Sequence, residues 1–308
     1  MKKILLLITA SILMLSSCKG ESGKMKIGLL PVIDTLPLIV ADSEGLFKSE
    51  GIDVELVVFN SALEKESALT SGALDGSFGD LITSLLQIKN GTDTRLVIES
   101  SHTSKNNRMF ALLSSPDSGI NSIEKIRDEE VAISMGSIIE FFLDRILVSK
   151  GIEPSGIKRV EVKAIPVRMQ MLMSNSLKLA LIPEPLASKA VKDGAKILAD
   201  DTGMNTTATV IIFRESFLSK NSESMKKFFA AYNKSVERIN STPDKYKNLM
   251  VEKMRLPADI KDSYRVPVYN KARLPLEKDV MLVYDWMKNK GMITQPVDYS
   301  KITWSPQK

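Results

Sequence analysis

The feature that most restricts how this chain can fold is an internal correspondence at a spacing of about 103 residues. IGLLPVID (from Ile27), DVELVVF (from Asp53) and SALEKESALTSGALDGSFGD (from Ser61) follow one another in the first part of the chain. VAISMGSII (from Val131), KRVEVKA (from Lys158) and IPVRMQMLMSNSLKLALIPEP (from Ile165) follow in the same order in the second. Leu74 and Phe78 correspond to Leu177 and Leu181 at the constant offset of 103. Solenoid units are far shorter, so the repeat points to two similar lobes. Within each lobe, short apolar runs alternate with segments of helical periodicity, a βαβαβ order that gives a largely parallel sheet covered by helices. The class is α/β.

The strands expected in the first lobe are Lys26–Leu30, Asp53–Phe59, Leu74–Phe78 and Arg95–Ser100. In the second they are Met109–Ser114, Glu130–Ser134, Lys158–Ile165 and Leu177–Ile182. Beyond about Thr207 the chain supplies one strand, Thr209–Phe213, and then helices over Met225–Asn240, Pro243–Met254 and Pro275–Lys290. If these return to the first lobe, that lobe is discontinuous: residues 26–105 and 206–308 form lobe 1 and residues 106–205 form lobe 2. Two chain crossings, near Ser101–Met109 and Ala199–Thr209, then act as the hinge.

Ligands of parallel α/β sheets bind outside the carboxyl ends of the strands, where helix N-termini favour anions and polar groups. The loops that qualify carry Asp34, Thr35, Asp80, Ser101, His102, Ser137, Glu140 and Glu184. Asp34, Asp80 and Ser137 are equally suited to capping the helices that follow them. As a set facing one cleft, contact of some of them with a ligand is the expectation. Arg108 and Arg168 are the nearest cations by sequence position.

Catalytic signatures are missing. There is no GxxxxGK[ST], no strand-linked GxGxxG, no HExxH and no GxSxG. With one Cys and one His in 308 residues, a disulfide framework, a cysteine-based zinc site and a multi-histidine metal centre are excluded. No cofactor is expected. The basic residues are spread among acids, so no nucleic-acid surface is indicated.

MKKILLLITASILMLSSCKG opens the chain with two lysines and a short apolar run from Ile4 to Leu15. The run is too short to span about 30 Å of hydrocarbon and fits the apolar region of a secretory signal. Its Leu15-Ser16-Ser17-Cys18 ending resembles the bacterial lipoprotein signal. That resemblance implies removal of residues 1–17, a lipid (palmitate-bearing) Cys18 and a tether over 18–25. Loss of Lys2 and Lys3 lowers the net charge from +5 to +3.

Several longer segments carry a family likeness in order and spacing. They are LPVIDTLPLIVADSEGLFKSEGIDVELVVFNSALEKESALTSGALDGSFGD (from Leu30), SPDSGINSIEKIRDEEVAISMGSIIEFFLDRIL (from Ser115), the LIPEP turn at Leu181–Pro185 and FFAAYNKSVERIN (from Phe228). Together they resemble substrate-binding proteins of ABC importers, in the group of nitrate, sulfonate, taurine and thiamine-precursor binders. The resemblance covers nearly all of Lys26–Gly291. It implies a type II periplasmic-binding-protein fold, with two lobes, two crossovers and a ligand cleft between them. The implied protein is a monomer anchored to the cell membrane by lipid alone, facing the periplasm or the cell exterior. It would pass a small-molecule ligand to an ABC permease and its ATPase.

Ligand identity does not transfer with the resemblance. Carboxylates at Asp34, Asp80, Glu140 and Glu184 would repel a bare sulfonate, which favours a nitrogen-containing ligand with N–H donors or positive charge. A sulfonate- or nitrate-type anion on the same scaffold is the alternative, as is a sensing or adhesive surface lipoprotein. Pyrimidine-precursor synthases share the fold and are enzymes, but their cysteine-rich motif has no counterpart here, so no catalytic residue is assigned.

Overall fold

A computed structural model describes residues 24–306. Cys18, the signal segment 1–17 and most of the expected tether lie outside the described residues. Among the described residues, ten strands form two five-stranded sheets. The first sheet contains β1 (Met25–Leu29), β2 (Val54–Val58), β3 (Gly76–Asp80), β4 (Thr94–His102) and, from much later in the chain, β10 (Thr207–Arg214). The second contains β5 (Phe110–Ser114), β6 (Glu130–Ile133), β7 (Lys158–Glu161), β8 (Leu179–Pro183) and β9 (Lys196–Asp200).

The strand orders are β2-β1-β3-β10-β4 and β7-β6-β8-β5-β9. Each sheet is parallel except for one strand in its fourth position. In the first this is β10, antiparallel to both β3 and β4; in the second it is β5, antiparallel to both β8 and β9. The two sheets thus share one topology, and β3 and β8 are offset by the 103 residues of the sequence correspondence. Strands covered by helices on both faces must be apolar nearly throughout. Leu179–Ile182 and Thr207–Phe213 are buried without a break.

The helices are laid down by local signals. Ser61 accepts a hydrogen bond from Glu64 N at the start of Ala62–Thr70, with glutamate at the third helical position as in a capping box. In the long helix Ser222–Ser241, Met225, Phe228, Tyr232, Val236 and Ile239 recur at three- and four-residue steps and are all buried. Close packing requires glycine at position 28. A Cβ on Gly28 would lie 2.5 Å from Leu74 Cδ1 and 3.1 Å from Lys65 Cγ.

The correspondence extends to buried cations. Lys65 and Arg168 occupy equivalent helices, Ala62–Thr70 and Ile165–Met173, at the same 103-residue offset. Lys65 donates to Ser77 Oγ on β3 at 3.1 Å. Arg168, fully buried, donates to Val162 O, Leu181 O and Ser134 Oγ at 3.0, 2.8 and 2.6 Å. These acceptors come from the end of β7, from β8 and from the end of β6. Arg168 therefore ties three chain segments together inside its own half.

The pairing register fixes how the halves face each other. β4 leaves the first sheet at His102, which is paired with Thr207, where β10 enters it. β5 begins at Phe110, paired with Pro183 at the end of β8, and Ala111 pairs with Asp200 at the end of β9. Both connections, residues 103–109 and 201–206, therefore run from the carboxyl edge of one sheet to that of the other.

The helix Glu277–Asn289 closes one flank. Phe141 on the second half's helix Ile138–Ser149 meets Trp286 edge-on at 5.8 Å between centroids. Trp286 Nε1 donates to Asp144 Oδ2 at 2.9 Å, and Lys290 Nζ donates to Glu140 Oε1 at 2.7 Å. One continuous buried apolar cluster runs through both halves. Among the described residues, no helix is long and apolar enough to cross a membrane.

Candidate functional site

The two connections meet in a buried polar junction. After β1, a single turn at Ile33–Thr35 places Asp34 beneath the first sheet's carboxyl edge. Thr209 Oγ1 donates to Asp34 Oδ1 at 3.1 Å, Ser101 Oγ lies 2.7 Å from Thr209 Oγ1, and Ser100 Oγ donates to Asp34 O at 2.9 Å. Burial pushes the Asp34 carboxyl above its usual range, although its bonds with Ser101 and Thr209 pull the other way. Thr35 is buried and donates to Val32 O at 2.8 Å, inside its own turn.

His102 sits beside this group. Its Nδ1 lies 3.1 Å from Glu99 Oε2 and its Nε2 lies 2.9 Å from Asn205 Oδ1 on the other connection. Glu99 also accepts from Thr207 Oγ1, Asn270 Nδ2 and the Arg273 guanidinium. Asp279 accepts from Thr207 N, and its Oδ2 lies 3.0 Å from Thr207 Oγ1, whose one proton it shares with the nearer Glu99. Glu99, His102 and Asp279 bring one donor atom each within 4.8 Å of the others, a spacing that could hold a metal ion. Both Glu99 oxygens, both His102 ring nitrogens and Asp279 Oδ2 nevertheless already have protein partners, and the Arg273 guanidinium pairs with Glu99. The cluster is closed on itself.

A strap, residues 264–270, crosses the junction. Tyr269 OH donates to Ile33 O at 2.7 Å, and its backbone exchanges two bonds with the Asn240 side chain. Two cavities lie against the strap. A small one of about 10 Å³, room for one water at most, is bordered by Asp34, Ser101, His102 and Tyr269. A larger one of about 230 Å³ opens between the strap and the second sheet's carboxyl edge, lined by Lys105, Arg108, Glu184, Asp200, Tyr264 and Arg265 among others. Both share Asn107 and Pro267.

Of the residues singled out in the sequence, Asp34, Ser101 and His102 border the small cavity and Glu184 the large one. The others lie apart from these cavities. Asp80 accepts from Thr83 N and Oγ1, both at 2.9 Å, and so caps its helix. Ser137 accepts from Ile139 N at 3.2 Å. Glu140 accepts from Gly136 N and Lys290 at 2.7 Å each. Glu184 accepts from Arg108 Nε at 2.8 Å and from Ser188 N at 3.2 Å. Each carboxylate that pointed to a ligand with N–H donors is thus already engaged by the protein. Arg108 lines the large cavity, whereas Arg168 is spent within the second half.

Sequence reasoning missed the strap, Lys105, Asn107 and the buried Asp201, which accepts from Met109 N at 3.0 Å and so joins the two connections. Burial raises the Asp201 carboxyl to about 7 against that bond. The only available signal for the strap was Tyr264-Arg265-Val266-Pro267-Val268-Tyr269, an aromatic-bearing run with neither helical nor strand continuity between two helices.

Two similar α/β halves, joined carboxyl edge to carboxyl edge by two connections, define the fold of the periplasmic binding proteins. The NMT1/THI5-like family model matches residues 33–246, and the chain belongs to that family. It is 20% identical over 262 residues to a protein of Brachyspira hyodysenteriae named as an ABC transporter periplasmic binding protein, covering 78% of this chain and 74% of that one. The periplasmic aliphatic sulphonate binding protein SsuA of Escherichia coli has a similar structure, with a TM-score of 0.77 at 19% identity over 91% of this chain and 92% of that one. The periplasmic nitrate-binding protein NrtA of Synechocystis gives 0.59 at 15% identity, with 92% and 91% covered.

Proposed function

We propose that this protein captures a small polar solute outside the cytoplasmic membrane and delivers it to an ABC permease and its ATPase. Lipid on Cys18 holds it at the membrane, and it works as a monomer. The observation that carries this reading is the cavity at the meeting point of two facing carboxyl edges, roofed by a strap fastened to the first half. A solute seated there touches both halves. Its binding favours whichever relative position of the halves completes those contacts, and the permease can read that position. The names of the Brachyspira, Escherichia and Synechocystis proteins support the same reading. The carboxyl-edge loops provide binding groups, and no group there is assigned a catalytic role.

Small-angle scattering of the delipidated protein tests the proposal. Titration with ethanesulfonate, nitrate and 4-aminopyrimidine in turn is expected to compact the particle with at least one of them. Unchanged scattering with all three contradicts it. Growth in radiolabelled palmitate tests the anchor: label is expected in the full chain and absent from Cys18→Ala.

A further inference from the structure

The helix Glu277–Asn289 is fastened to the first half near both of its ends. At its start Asp279 accepts from Thr207 N on β10 at 3.0 Å, and just beyond its end Met292 O accepts from Lys89 Nζ at 2.9 Å. Between these fastenings it reaches across to the second half. Trp286 Nε1 donates to Asp144 Oδ2, and the Trp286 ring meets Phe141 edge-on. Lys290 Nζ donates to Glu140 Oε1 and lies 3.4 Å from Asp144 Oδ2. Glu140 and Asp144 are both buried. Among the described residues, the second half itself offers them one cation, Arg159, which donates to Asp144 Oδ1 at 2.7 Å and stands 3.9 Å from Glu140 Oε1. The other cation of the group comes from the first half. Thr207 lies where a connection enters β10, so Asp279 marks the hinge end of the helix. At 1.5 Å per residue, Trp286 and Lys290 lie about 10 and about 16 Å along it from Asp279.

We infer that Trp286 and Lys290 are positioning residues for solute capture: they latch the two halves in the arrangement whose cavity touches both, and so set affinity from outside that cavity. The inference rests on the solute-binding reading above. Neither residue borders the two cavities at the junction, so their influence is on the relative position of the halves. A rotation of about 10° about the connections swings a group about 16 Å from the pivot by about 3 Å, enough to break a hydrogen bond. Parting the latch leaves two buried carboxylates with one cation and without the indole donor, which is costly. The contact is therefore made in this arrangement and lost in any that opens by that much. Solute and latch favour the same arrangement, and the apparent affinity scales with the fraction of free protein already in it.

Small-angle scattering and calorimetry on the delipidated protein test the latch. Trp286→Phe keeps a ring against Phe141 and removes the N–H donor; Lys290→Glu sets a third carboxylate beside two others. Without solute, both variants are expected to show a larger radius of gyration than the parent, with circular dichroism unchanged. Whichever of ethanesulfonate, nitrate and 4-aminopyrimidine binds the parent should bind each variant about fivefold or more weakly. At saturation it should return each variant to the parent's bound radius, a recovery that local damage to the fold would not show. Parental free radius and parental affinity in both variants overturn the latch. Tighter binding by the variants overturns the assignment of this arrangement as the one that captures. If none of the three probes binds the parent, solute capture is what fails; an expanded free variant then still supports the latch, and an unexpanded one overturns it.

Discussion

His102 Nδ1 stands 3.1 Å from Glu99 Oε2, while its Nε2 faces Asn205 Oδ1 across the second connection at 2.9 Å. A carboxylate beside Nδ1 favours the protonated imidazole. Burial works against that charge, but the hydrogen bond and charge of Glu99, helped by Asn205 and Asp279, outweigh it and hold His102 above 6.5. A histidine raised on folding contributes stability that is fully present below the unfolded value and lost as pH rises through the folded one. Because the chain has a single histidine, its ring resonances need no assignment. Proton NMR is expected to show one titration with a midpoint above 6.5. His102→Gln should remove the corresponding loss of stability at alkaline pH. A midpoint below 6.5 contradicts the charged junction.

Asp201 ties the same two connections by accepting from Met109 N. Its carboxyl is raised by burial from 3.8 to about 7, so its contribution has the same sign as that of His102. That contribution is complete below pH about 4 and declines as pH rises toward about 7. In urea titrations across this range, Asp201→Asn is expected to lose less stability with rising pH than the parent. Parallel pH curves for the two proteins contradict this.

Arg168, one of the two cations nearest the expected cleft by sequence position, sends its three bonds to Val162 O, Leu181 O and Ser134 Oγ. Arg168→Met leaves those acceptors without a donor and should cost about 3 kcal/mol or more in chemical denaturation. Arg168→Lys should recover only part, because an ammonium cannot reproduce the planar fork. A loss below about 0.5 kcal/mol for the methionine variant shows that the staple does not hold the half together.

The repeated α/β order was legible because the strands and helices carry local patterns. The helix expected over Met225–Asn240 is found as Ser222–Ser241, and β3 and β8 keep the offset read between Leu74 and Leu177. Strand β9, Lys196–Asp200, was missed: it is short, half exposed and flanked by Gly194, so it lacks the apolar run of its neighbours. The insertion of β10 and β5 as antiparallel strands depends on pairing between distant segments, which periodicity does not encode. The site divides in the same way. Asp34, Ser101, His102 and Glu184 fall at the junction because strand ends can be located from sequence. Asp80 and Ser137 fall to capping, which the same residue types serve equally well. The strap stayed invisible because Tyr269 and Asn270 find Ile33, Glu99 and Asn240, none of them a sequence neighbour.

Capture of a solute between the two halves is tested most directly by native mass spectrometry of the protein purified without denaturant from the cells that make it. A single small-molecule adduct per chain is expected, released when the protein is unfolded and absent after refolding in clean buffer. The bare chain mass alone, unchanged when the refolded protein is returned to a small-molecule extract of those cells, would contradict the account.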